Sequence, residues 1–298
     1  MISGDDNFLP KAPTFSDELV EECTKSGDFR PILFEWYKFV GLLCNTVACI
    51  SPESPALRNI PPVHYAIFIG LLNRCSRLML SNTCLSSTRK YGETTRLLDR
   101  SIYESAVKIQ WLCYKNDDDS FLRYLADGLV KDLMFKRQIE ENIEKRNGEI
   151  LIIEQRMLNS IKECIELSGL SEQEITDAKK LPDFASMLKN LGFSDISYTA
   201  IQRMSSHAVH GTWSDLIFNY LRHDGSQRLS PRDHEIDTQD VQFITGIRFV
   251  LGAVKSFLNY VVSDVSEVSA FVSVIDSTNE KMIEIQRLAW ASDFSVPT

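Results

Sequence analysis

TTRLLDRSIYESAVKIQW, residues Thr94 to Trp111, sets Leu97, Leu98, Ile102, Val107 and Ile109 at helical steps. Apolar residues that return every three or four positions form one buried stripe on a helix, whereas a half-buried strand alternates every second residue. The same steps recur on both sides of this stretch, prolines are scarce within the periodic segments, and no run alternates. The chain is therefore expected to be all-α, with no sheet of three or more strands.

Working outward, Ser16 is placed to cap a first helix ending near Lys25, and Pro31 suits the first turn of a second. Ser51 to Pro62 carries four prolines and reads as a loop. A third helix starts at Val63, and the fourth covers Lys90 to Lys115. Asn116 to Ser120 (NDDDS) breaks the pattern and puts carboxylates at the positive end of the next helix. Phe121 to about Ser168 reads as two antiparallel helices parted at Asn147-Gly148, because a single span of nearly that length would protrude from the domain. Ser171 with Glu174 forms a capping-box pattern. Pro182 opens a short helix to Asn190, His223 to Glu235 is a polar loop, and Asp237 to about Asp264 is a strongly apolar helix. The expected organisation is an N-terminal helical extension (1–60), a helical bundle (61–265) and a C-terminal helix with a tail (266–298).

Composition narrows the function classes. Of the 298 residues, 44% are apolar and 24% charged, which is ordinary for a globular chain. The net charge of -9 repels phosphate on average, so contact with nucleic acid needs a local basic patch. One exists: Arg74 to Arg100 holds six basic residues against two acids, the rest of the chain 26 against 39. Seven cysteines without a CxxC pair read as reduced core thiols. The longest uncharged stretches, Phe39 to Pro52 and Asn59 to Asn73, fall short of the roughly 18 residues of a membrane span. Met1 to Pro13 lacks the form of a signal peptide. These features predict a cytoplasmic chain with no membrane partner.

Two constellations bear chemistry. In YTAIQRMSSHAVHGTW (Tyr198 to Trp213), Arg203, His207 and His210 point within about 60° of one another on a helix. A guanidinium clamps phosphate at two points, and two imidazoles titrate near neutral pH, so this face can cleave RNA without metal or cofactor. The second constellation is Arg96, Arg100, Tyr103, Glu104 and Trp111. Arg100 is placed to bind a second phosphate, or to pair with Glu104, and Glu104 to orient a histidine. Two other readings stay open. Both sets can serve packing alone, with Arg and His paired to buried carboxylates that fix helix register. His207 and His210 also have the HxxH spacing of a metal-dependent hydrolase, although no Cys/His pair supplies the remaining ligands.

The pairing of RLLDRSIYESAVKIQWL with YTAIQRMSSHAVHGTW resembles a bacterial all-helical family of unknown function. There an Arg-Ser-aromatic-Glu helix precedes a Tyr…Ser…His-Gly helix, and the likeness runs from about Tyr65 to Val262. The second motif also resembles the R-x4-6-H signature of HEPN proteins, with Arg203 and His210 at the widest spacing. This chain departs from that signature at Met204, where HEPN nucleases carry Asn, Asp or His, and His207 is an additional imidazole. The resemblance implies a HEPN-like helical bundle with extra N-terminal helices, and metal-independent RNA cleavage in stress or phage defence. Arg203 would hold phosphate and His210 would be the acid/base, with His207, Arg100, Glu104, Arg96 and Tyr103 in support. It also implies a homodimer built on facing motif helices and a regulatory partner protein. The rival it leaves is a non-enzymatic helical sensor or scaffold that uses the same polar face.

Overall fold

The structure, a computed structural model, describes residues 9–194, 199, 201, 207–223, 225, 228–233 and 235–293. Among these the regular structure is helical except for one two-stranded hairpin. The chain divides into two compact units, residues 114–186 and the remainder on either side of them.

In the larger unit the helices begin where their end residues dictate. Helix α1 (Asp17–Ser26) starts at Ser16, whose hydroxyl accepts from the Leu19 amide, and stops at Gly27 in the left-handed region. Helix α2 (Arg30–Ala48) has its proline in the first turn. Helix α3 (Pro62–Ser86) follows the proline-rich loop, and α4 (Gly92–Lys115) follows a turn in which Arg89 and Tyr91 take positive φ. Helix α8 (Phe184–Asn190) begins two residues later than Pro182 suggests, because the Asp183 carboxylate caps it through the Ser186 amide. The apolar helix is α9 (Asp240–Val261), and α10 (Ser269–Asp293) ends the described chain. By length and composition α9 could cross a membrane; here it is a core helix, 67% of its most apolar window buried. It packs on α2, where Phe34 and Tyr37 meet Phe243 edge to face.

A polar network runs through this core. Asn82 donates to both Tyr37 and Asp99, and Gln242 donates to Asp99 and Thr95. Thr238 joins Thr95 to Ser86. At the edge, Asp28, Arg30, Arg89 and Asp237 form a four-membered ion cluster tying the start of α2 and the α3–α4 turn to the strap before α9. The strap lies so close to α4 that a Cβ on Gly92 would stand 2.4 Å from the Asp237 carbonyl oxygen. Only glycine allows that approach.

The smaller unit contains α5 (Asp118–Lys145), α6 (Ile152–Ser168) and α7 (Glu172–Asp177). Asp117 caps α5 through the Ser120 amide, and Ser171 with Glu174 closes the expected capping box on α7. The break falls at Asn147 and Gly148, both at positive φ. The core here is small: Ala126, Leu129, Leu133 and Ile175, with Ile165 and Leu170 beside them. Ile150 to Ile153, four consecutive aliphatic residues at the hairpin tip, are exposed.

Two expectations need correction. The polar loop His223 to Glu235 contains an antiparallel hairpin, β1 (Leu221–His223) paired with β2 (Leu229–Pro231). The cysteines are not uniformly core thiols: Cys23, Cys44 and Cys75 are buried, whereas Cys49, Cys84 and Cys164 are exposed.

Candidate functional site

Helix α4 carries Arg96 and Arg100 one turn apart on its half-buried side. Arg96 donates from Nη1 to Oδ1 of the buried Asn219 at 2.9 Å. Asn219 donates in turn to Asp215 at 2.7 Å. The Asp215 amide donates to the Thr212 hydroxyl oxygen, which lies 2.7 Å from Nδ1 of His207. These contacts link the Arg-Ser-aromatic-Glu helix to the His-Gly turn, with the Asp215 carboxylate serving one side and its backbone amide the other. Local sequence explains the contacts nearer His207. Gly211, at φ 53°, ends the helical turn that carries His207 and His210, and Thr212 caps the next turn, Trp213–Asp215. A five-residue π-helical segment, Leu216–Tyr220, then brings Asn219 toward Arg96.

The predicted residues separate into three groups. His207 is half-buried with Nδ1 engaged by Thr212, and His210 is exposed one turn on. Arg100 and Glu104 form the expected i, i+4 pair at 2.8 Å, with side chains 21% and 39% exposed. Glu104 thus orients an arginine, and among the described residues it contacts no histidine. Tyr103 and Trp111, each 1% exposed, lie in the core, Tyr103 against Phe249 and Trp111 bonded to Asn190. Tyr103 therefore has no surface with which to touch a ligand on this face. Arg203 lies outside the described residues.

Sequence reasoning missed Thr212, Asp215 and Asn219. The Thr-x-x-Asp spacing of a helix cap was the available signal for the first two. It also missed Asp99, which sits between the two arginines in sequence and turns inward. Burial pushes its carboxyl up to about 7, against the opposing pull of the amides of Gln242 and Asn82 and of the Arg96 charge.

Beyond Asn219 the surface turns acidic. A depression of about 240 Å³ is lined by Glu93, Asp233 and Glu235 with Arg232, whose guanidinium donates to the Phe218 carbonyl at the end of the π-helical segment. Two of these carboxylates are paired: Asp233 with Arg222 at 2.9 Å and Glu235 with Lys90 at 4.0 Å. No third ligand joins His207 and His210 in a metal-binding cluster among the described residues.

Residues 65–228, more than half of the chain, match the family model described as "Family of unknown function (DUF5677)". No curated protein and no solved structure matches.

Proposed function

We propose that this chain, a member of the family of unknown function DUF5677, is a HEPN-like, metal-independent ribonuclease acting in stress or phage defence. The observation that carries this reading is the set of contacts from Arg96 through Asn219, Asp215 and Thr212 to His207. It couples the two motifs, fixes one imidazole through Nδ1 and leaves the exposed His210 one turn away.

The chemistry follows from those groups. One imidazole takes the proton of a ribose 2′-hydroxyl, and that oxygen attacks the adjacent phosphorus. The bond from phosphorus to the 5′ oxygen breaks, and the second imidazole, in its protonated form, supplies the proton to the leaving oxygen. Arg203 clamps the phosphate as negative charge builds on it, with Arg100 as auxiliary cation. The products are a 2′,3′-cyclic phosphate and a 5′-hydroxyl end. A homodimer would supply a second copy of each group, and a regulatory partner would set when the face is open.

A second reading, a non-enzymatic sensor or scaffold, is favoured by one observation. Arg96 and Arg100 already bond to Asn219 and Glu104, as groups that fix register do. The experiment that separates the two incubates wild type, His210→Ala, His207→Ala and Arg203→Lys with total RNA, both with and without EDTA. General acid–base help from a histidine is worth roughly 10² to 10⁴ in rate, so His210→Ala should lose activity on that scale. Arg203→Lys keeps the charge but loses the two-point contact and should also be slower. Equal degradation by all four proteins would assign the activity elsewhere. No degradation, even with an activating partner present, would favour the scaffold. Loss of wild-type activity in EDTA would favour a metal-dependent hydrolase.

A further inference from the structure

A groove of about 640 Å³, within the size range of small-molecule sites, lies along the outward face of α9 in the larger unit. Its floor is a helical stripe, Ile244, Arg248, Gly252 and Lys255. One wall is α10, through Ile275, Asp276, Asn279 and Gln286. Phe193 also lines the groove and stacks on Phe249 with centroids 5.6 Å apart and planes 9° from parallel. The Gln110 amide lies over Gly252, where a Cβ would stand 3.2 Å from it.

The two cations of this groove differ in pairing. At one end the Lys255 ammonium is 2.6 Å from the Asp276 carboxylate, so the pair is neutral. Midway along the floor, between Ile244 and Gly252, the exposed Arg248 guanidinium reaches only the neutral Gln286 amide, at 3.4 Å. Among the described lining residues Arg248 is thus a cation without a carboxylate partner, within an apolar trough in an acidic protein.

We propose that this groove binds an amphiphilic anion, with an apolar body lying against Ile244 and Phe193 and an acidic head on Arg248. A carboxylate and a phosphate monoester share the required head chemistry, because both accept two parallel hydrogen bonds from a guanidinium. The proposal is independent of RNA cleavage and uses none of its residues.

The test uses the full chain and an anilinonaphthalene sulfonate probe, whose fluorescence reports transfer to an apolar site, displaced by decanoate, decyl phosphate or 1-decanol. Both anions should displace the probe, with the neutral alcohol about tenfold weaker. Their order identifies the head, carboxylate or phosphate. Arg248→Gln, at an exposed position that carries little of the fold, should remove the preference of the anions over decanol. Thr245→Trp, at a half-buried lining position, should fill the trough and abolish displacement by all three compounds, with melting curves confirming that each variant folds. Ile152→Ser, on the exposed hairpin tip, should leave displacement unchanged and so separates the groove from nonspecific probe binding. The proposal is overturned if no compound displaces the probe, if decanol matches the anions, or if Arg248→Gln binds them as wild type does.

Discussion

The carboxyl of Asp99 is raised from 3.8 to about 7 by burial, so the folded chain holds its proton more tightly than the unfolded chain does. The sign of its effect on stability follows. Its contribution is complete below about pH 4 and is lost as pH rises toward 7, where ionisation places a charge in the core. Asp99→Asn should flatten this part of the stability curve and raise the denaturation midpoint above pH 7, a difference of a few kcal/mol at most. The new amide has partners available. Gln242 is held in its present orientation because its oxygen accepts from the Gln239 amide, so it continues to donate. Asn82 is freer: its side-chain oxygen has no partner among the described residues, and turning that amide over would accept the added N–H. Urea titrations of both proteins from pH 4 to 8 measure this, and parallel curves would refute it. None of this network was legible in the sequence. Asp99 reads there as one charge among neighbouring arginines, and only tertiary burial separates it from them. The Arg100–Glu104 pair was legible because it is local to one helix, whereas the Arg96–Asn219 bond joins residues 123 positions apart.

Elements were read most securely where an end residue has only one good use. Ser16, Pro31, Asp117 and Ser171 stand where helices begin. Asp117→Ala removes the acceptor for the Ser120 amide at 2.7 Å and should lower stability by about 1 kcal/mol, read as a shift in melting temperature. The β1–β2 hairpin escaped because its strands are three residues long, too short to show alternation. Helix α6 is far less buried than α9. Among its 17 residues only Glu154 and Ile161 are buried, against 13 in α9. Little apolar contact opposes local opening of α6, so its amides should exchange with solvent far faster than those of α9. Hydrogen-exchange mass spectrometry would show this, and equal protection of the two helices would mean that another surface covers α6.

At the scale of the molecule, helical periodicity sufficed for the fold class, since the rule it rests on is local and repeats in every segment. Assembly follows no such rule. The homodimer proposed with the HEPN-like reading would bring two His207–His210 turns together by a two-fold axis. Light scattering of the full chain at micromolar concentration should give twice the mass of 34.0 kDa, and a monomer there would count against it. The division into two units has a further consequence, for the order of events on the ribosome. Residues 114–186 are contiguous, so the smaller unit has all its parts once they have emerged. The larger unit must wait. Arg30 bonds to Asp237, 207 positions later, and Ser86 to Thr238, 152 later. Until α9 leaves the exit tunnel, α2 and α4 lack the helix that covers them, and their apolar faces stand open to chaperones. Contacts this distant make for slow closure, so the final step of folding belongs to the last third of the chain.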